Sequence, residues 1–384
     1  MSPQPDLDVS TLGEIREFKL LADERMTPDV LQIFQNPHRG AAIKSNMQAW
    51  QRWALQPRAM VPLASCDTST TVLGEAVDTP ILIAPFALQG FACDEGDVAT
   101  AEAARDCGTL MAISMTAVRT PEEIAATGAR FWMQLDWIQD RGRLKEIVER
   151  AVQAGAKAIC LTVDMPVFPW WTPAMRAALN RMELECKRFI DAGRETSAFL
   201  GTAWAGNEDP SASGVGLATH EFVRTPGWEE LEWLRSLSPL PLIVKGVLNA
   251  EDAKRAAEYG ASAVVVSNHG GDGLEQSLGT AEVLPDVVEA VGGQIEVLVD
   301  GGIRSGADVL RALALGAGGV LVGRTAYWGL TVGGAAGVSR VLTLLREELQ
   351  TLMGYVGAES LADIHAGSII ERSYVDPSFV PDWA

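Results

Sequence analysis

Eight short runs of β-branched and other apolar residues, each followed by a longer amphipathic stretch, constrain this chain more than any other feature of its sequence. The runs are Ile81-Leu-Ile-Ala84, Met111-Ala-Ile-Ser114, Phe131-Trp-Met-Gln-Leu135, Ala158-Ile-Cys-Leu-Thr-Val163, Leu242-Ile-Val-Lys245, Ala263-Val-Val-Val266, Glu296-Val-Leu-Val299 and Val320-Leu-Val322. Strands of a parallel sheet are covered on both faces, so they read as unbroken apolar runs joined by crossover helices. Helix-like segments fill the gaps, among them Asp97 to Cys107, Leu144 to Ala154, Ala250 to Glu258 and Ala307 to Ala314. Gly155, Gly260 and Gly316 stand just beyond three of these, where helix C-caps favour glycine. Eight strands in alternation with helices predict an α/β fold, a (β/α)8 TIM barrel over residues 81–350, with its active site at the C-terminal strand ends.

Residues 1–80 read as N-terminal helices packing on the barrel, and 351–384 as a short C-terminal helix with an irregular tail. One connection is too long. About sixty residues separate the fourth run from the helix near Trp228, whereas ordinary βα loops hold roughly 2–6. Within it 172–192 reads as helical, and Gly201 to Gly216 is rich in Gly, Ser, Asn and Asp. An insertion on the catalytic face, at about 172–226, is expected to act as a lid.

A formal charge of -19 argues against nucleic acid or an anionic membrane as a partner, because both require basic patches. The five cysteines, Cys66, Cys93, Cys107, Cys160 and Cys186, are odd in number and lack C-x-x-C spacing. They predict neither a disulfide framework nor a metal site, and a reducing, cytoplasmic setting fits them. The first residues are acidic without an apolar core, and no eighteen apolar residues run together, so neither a signal peptide nor a membrane span is expected.

The chemistry concentrates at the last three strand ends. Ala263-Val-Val-Val266 closes on Ser267-Asn-His-Gly-Gly271, which would present His269 as a base. The next two runs end in Asp300-Gly-Gly-Ile-Arg304 and Gly323-Arg324. Glycines let a backbone approach phosphate closely, and arginine forks onto it. A base beside a phosphate cradle implies a cofactor enzyme.

In these segments, and in Leu82-Ile-Ala-Pro85, Leu161-Thr-Val-Asp164, Ile243-Val-Lys-Gly246 and Ala312-Leu-Ala-Leu-Gly-Ala317, the chain resembles the glycolate oxidase-like FMN-dependent α-hydroxy acid oxidases and dehydrogenases over about residues 26 to 370. The resemblance implies an FMN site made by Pro85, Phe86, Ala87, Ser114, Gln134, Thr162, Lys245, Ser267, Asp300, Gly302, Arg304, Gly323 and Arg324. It implies that His269 takes a proton from substrate O–H or N–H, that Asp164 orients the imidazole, and that Lys245 stabilises negative charge on the reduced ring. His38, His220 and His365 read as ordinary. It also implies a homo-oligomer, a tetramer in much of the family.

The half of the site that would hold the acid departs from the family. Asp272 stands where an arginine forks onto the substrate carboxylate, and Trp171 where the second such arginine lies. Asp136 replaces a tyrosine after the Gln-Leu pair, and Phe34 aligns loosely with another tyrosine. Losing two charge-assisted hydrogen bonds costs on the order of 3–6 kcal/mol, before the repulsion from two aspartates. A small 2-hydroxy acid is therefore expected to bind poorly, and an amine or guanidinium to suit Asp136 and Asp272, with Trp170 and Trp171 as cation–π walls. Mycofactocin maturation flavoenzymes, a branch that oxidises an amine in a peptide-derived lactam, also lack the arginine after His-Gly-Gly, although their strand-three tyrosine is missing here. The alternative is that Asp272 caps a turn and Asp136 pairs with an arginine such as Arg141.

The expectation is an FMN-dependent oxidoreductase acting on a C–H that bears an amine or hydroxyl, in a small-molecule or peptide-derived substrate, with no metal. Competing expectations are an ordinary 2-hydroxy acid oxidase, an FMN-dependent isomerase or other non-redox flavoprotein, and a flavin binder that has lost catalysis.

Overall fold

Alternation along each apolar run decides which side chains fill the barrel and which face its helices. In β4 (Ile81–Ile83), Ile81 and Ile83 join the outer core while Leu82 points inward. The same two-residue period sends Ala112 of β5 (Leu110–Ile113), Trp132 of β6 (Arg130–Asp136) and Cys160 of β7 (Ile159–Thr162) into the interior. It does likewise for Ile243 of β8 (Leu242–Val247), Val265 of β9 (Ala263–Val266), Leu298 of β10 (Glu296–Val299) and Leu321 of β11 (Gly319–Val322). These strands pair in parallel in chain order, and Val320 beside Ile81 closes the barrel. All eight expected strands are present.

The computed structural model describes residues 7–28, 30–31, 40–87, 89–165, 226–272 and 274–373. The expected insertion at 172–226, except its last residue, lies outside them, as do Phe34, His38, Cys186, His220, Trp170 and Trp171.

The helices surround the strands: α3 (Asp97–Asp106), α4 (Pro121–Ala126), α5 (Arg141–Gln153), α6 (Trp228–Ser236), α7 (Ala250–Glu258), α8 (Thr280–Val291), α9 (Gly306–Ala314) and α10 (Arg324–Val356). Four begin on side chains that satisfy otherwise unpaired N–H groups: Thr120 accepts from Glu123, Asp140 from Arg143, Asn249 from Asp252 and Ser305 from Asp308. Helices α1 (Ile15–Arg25) and α2 (Gly40–Gln51) precede the barrel. The first packs on α10, the second on α8.

Two expectations need correction. Residues 1–80 are not helical throughout: β1 (Trp53–Leu55), β2 (Thr70–Val72) and β3 (Glu75–Val77) lie there. Strands β2 and β3 form a hairpin that plugs the N-terminal end of the barrel. Val72 and Val77 join the inner core, and the Leu73 N–H donates to the Glu296 carboxylate at 2.9 Å. Only the C-terminal end is left for a site. Nor do residues 351–384 begin a separate helix, because 351–356 are the last turns of α10. Beyond it β12 (Ile369–Glu371) returns to pair antiparallel with β1. Helix α10, at 33 residues, is long and apolar enough by length and composition to cross a membrane. Its apolar side chains, Leu330, Val338, Leu342, Leu345 and Leu349 among them, are instead buried in this fold.

Candidate active site

The strand order sets three polar groups side by side at the C-terminal mouth. Two residues beyond β7, Asp164 Oδ1 lies 3.0 Å from His269 Nδ1, which follows β9. The imidazole is partly open to the cleft and the carboxylate is buried, so Nε2 is the nitrogen left to meet a substrate. Burial alone would lower the His269 pKa, but the charge and hydrogen bond of Asp164 outweigh it and the net direction is upward. Asp164 is also buried, which would raise it, yet His269 and Lys245 hold it below the ordinary carboxylate value.

This approach requires Gly246. Strand β8 has an irregularity between Lys245 and Val247, and Gly246 there adopts φ +109, where a Cβ would lie 2.6 Å from the Asp164 Cβ. His269 itself has φ 56, a left-handed conformation that costs a non-glycine residue about 1–3 kcal/mol and persists only where its surroundings impose it. Its N–H donates to Ser267 Oγ at 3.1 Å.

Lys245 forms the second group, pairing with Asp300 Oδ2 at 3.0 Å and donating to Ser267 Oγ at 2.9 Å. Burial would discharge this ammonium, but Asp300 and Asp164 more than offset that and raise its pKa, so it stays charged. Asp300 Oδ1 and Asp164 Oδ2 are buried without a hydrogen-bond partner.

The third group is centred on Gln134, which points into the barrel two residues before Asp136. Its Nε2 donates to Asp136 Oδ1 at 3.0 Å and to Thr162 Oγ1 at 2.9 Å, while its Oε1 accepts the Met115 N–H. Burial raises the Asp136 pKa, as does Asp164, against the opposing charge of His269. Arg141, the alternative partner weighed for Asp136, instead meets Glu230 at 3.5 Å and stacks on Trp233. Asp136 makes no ion pair among the described residues.

Beside these, the N-terminus of α10 meets two arginines. Arg324 Nη1 donates to the Gly270 carbonyl at 2.8 Å, and its Nη2 lies 3.7 Å from Asp272 Oδ1. Arg304 stacks on Trp328 at 4.9 Å, and its Nε is buried without a partner. Burial, and then the like charge of Arg324, push the Arg304 pKa down to about 9. Two crowded guanidiniums beside the N–H groups of a helix start fit a bound phosphate. FMN fits these residues: Arg304, Arg324 and Gly323 would hold its phosphate, and the buried Lys245 its ring.

Of the expected residues, Pro85, Phe86 and Ala87 follow β4, with Phe86 packed edge-on against Tyr327, and Ser114 follows β5 with its Oγ 2.8 Å from Thr116 Oγ1. Gly302 follows β10 with φ +79. Asp272 ends the turn after His269, so its carboxylate faces an arginine expected to serve the phosphate. His365 accepts from the Gly367 N–H in a surface turn, an ordinary role. The sequence reading assigned nothing to Asn268 or Asn46, which pair with each other behind the His269 turn. A polar residue inside an amphipathic helix carries no signal of such a role.

Comparison with known proteins converges on one group. Residues 22–371 match the family described as FMN-dependent dehydrogenase. Over 331 residues the chain is 43% identical to an L-lactate oxidase of Nostoc sp., spanning 84% of this chain and 88% of that protein. It is 38% identical over 372 residues to Glycolate oxidase 5 of Oryza sativa subsp. japonica, spanning 94% and 97%. A crystal structure of mandelate oxidase superposes with a TM-score of 0.78 at 34% identity, over 95% of this chain and 100% of that one. An arginine-to-leucine variant of mandelate oxidase with 2-hydroxy-phenylacetamide gives a TM-score of 0.75 at 33% identity, over the same 95% and 100%.

Proposed function

This chain belongs to the FMN-dependent dehydrogenase family, with FMN as its cofactor, and from that premise we propose that it oxidises a C–H bearing an amine or hydroxyl in a substrate not anchored by a carboxylate. The observation that carries this reading is Asp136, a carboxylate at a barrel strand end beside the His269–Asp164 pair, with no ion pair among the described residues. A substrate carboxylate placed there meets like charge in a site of low dielectric. A substrate ammonium meets its counterion, and an uncharged amide or hydroxyl meets a hydrogen-bond acceptor. Asp272 adds negative charge nearby, although Arg324 offsets part of it.

FMN supplies the two-electron acceptor when bound. His269 Nε2 takes the proton from the substrate heteroatom, and Asp164 keeps the Nδ1–H aimed and stabilises the imidazolium. Lys245, held charged by Asp300, provides fixed positive potential at the base of the cleft. Trp171 and Phe34 complete the substrate side in this proposal, on their place in the sequence alone.

The second reading is an ordinary 2-hydroxy acid oxidase, favoured by the relatives named L-lactate oxidase and glycolate oxidase. The mandelate oxidase variant with 2-hydroxy-phenylacetamide lends weight the other way, since that protein, having lost an arginine, was solved with an uncharged amide. Anaerobic bleaching of the flavin's visible absorbance separates the two. The expected result is reduction by amines, amino alcohols or hydroxy amides and not by 2-hydroxy acids. Bleaching by 2-hydroxy acids at low concentration would sink the proposal. His269→Ala should retain FMN and lose reduction by every substrate.

A further inference from the structure

We infer that Asn46, on a helix outside the barrel, is a positioning residue for the base: it grips Asn268, and through Asn268 the turn that presents His269 to Asp164. The two side chains exchange both of their hydrogen bonds. Asn46 Nδ2 donates to Asn268 Oδ1 at 2.8 Å, and Asn268 Nδ2 donates to Asn46 Oδ1 at 2.9 Å. Both are almost wholly buried, so water cannot replace either partner.

Each amide does more than hold the other. Asn268 Oδ1 also accepts the Gly271 N–H at 3.2 Å, which closes the turn around His269, and its Nδ2 reaches the Leu278 carbonyl at 3.2 Å. Asn46 Oδ1 also accepts the Thr280 N–H at 3.1 Å, and Thr280 Oγ1 donates to the Asp300 carbonyl at 2.6 Å. One turn further along α2, Trp50 Nε1 donates to the Gly301 carbonyl at 2.8 Å. A single face of α2 thus fixes the turns after β9 and β10, which carry His269 and the counterion of Lys245.

That turn needs holding. His269, Gly270 and Gly271 take φ of 56, 64 and 90 in succession, and a histidine does not adopt the first of these unaided. The helix also fits against it closely, since a Cβ on Gly271 would lie 2.9 Å from the Ala42 Cβ. Removing the Asn46 amide frees Asn268 to rotate, releases the Gly271 N–H, and lets the imidazole drift from Asp164.

Among the described residues, the charged and titratable groups that act on His269 include Asp164, Lys245, Asp272 and Asp136, and none of these lies on α2. An uncharged substitution at Asn46 therefore alters the titration of His269 only by moving it. This inference rests on His269 as the base, but its test needs no substrate. The FMN-loaded enzyme, labelled at its four histidines, is titrated by NMR, with His269→Ala supplying the assignment. Asn46→Ala is expected to move the His269 midpoint downward by about half a pH unit or more, while FMN stays bound and the other histidines do not move. Asn46→Ser, which keeps one hydrogen-bonding group, is expected to fall between, and decides the matter by the same readout where the alanine variant does not fold. An unmoved His269 in the folded variants, or all histidines moving together, overturns the positioning role. Flavin reduction surviving in His269→Ala would remove the base assignment and leave the titration result standing.

Discussion

Asp164 Oδ1 stands 3.0 Å from His269 Nδ1, joining the segments that follow β7 and β9 across the β8 strand that separates them in the barrel. A base acts only when neutral, so its active fraction disappears as pH falls through its pKa. Asp164 places that pKa above the ordinary imidazole value. In Asp164→Asn the burial remains and the counter-charge goes, so the inflection in flavin-reduction rate should move to lower pH, with a plateau rate reduced about 100-fold or more. Stopped-flow reduction across pH 5 to 9 checks both; an inflection that stays in place would show that Asp164 does not tune the base.

Asp136 gives the second expectation. If it is the counterion of a cationic substrate, Asp136→Asn loses about 10- to 100-fold in affinity for that substrate and little for an uncharged one. Its pKa is raised by burial, so affinity for the cation should also weaken as the solution is acidified, and in the asparagine variant this pH dependence should vanish. Flavin difference titrations with a charged and an uncharged analogue separate these outcomes.

The phosphate cradle supplies a third. Arg304→Met removes a buried guanidinium whose Nε lacks a protein partner, leaving Arg324 alone. FMN affinity, measured by quenching of flavin fluorescence on the apoprotein, should drop about 10- to 100-fold. The secondary structure should be unchanged, and relief of the Arg304–Arg324 repulsion should leave the apoprotein no less stable. Unaltered FMN affinity would remove Arg304 from the cradle.

A fourth concerns stability. Asp97, the first residue of α3, is buried, and burial, outweighing the backbone N–H groups of Asp97 and Arg119 and the Arg119 charge, pushes its pKa up to about 7. The folded state therefore favours the protonated form. Stability is undiminished below the unfolded carboxylate value, falls as pH rises toward 7, and stays lowered above it, by an amount on the order of 4 kcal/mol. Asp97→Asn should raise the melting temperature by several degrees at pH 8 and by less at pH 5. Calorimetry at the two pH values tests the sign.

The barrel was legible because each of its strands is a compact apolar run bounded by a helix. Strands β1, β2 and β3 were not, because each spans only three residues and carries no sustained alternation. The extent of α10 was obscured by Gly333 and Gly334, whose non-helical backbone kinks it into two helical stretches. The His269–Asp164 pair followed from resemblance, since the two are 105 residues apart and no local pattern links them. The contact of Asp272 with Arg324 and that of Asn46 with Asn268 are tertiary facts, and nothing in the neighbouring residues announces either.

Strands β1 and β12 pair Trp53 with Glu371, bringing an early segment of the chain against a late one. β1 follows directly on α2, and the residues that pair with it leave the ribosome after every barrel strand. During synthesis, then, β1 gains its partner strand only after every barrel strand has been made.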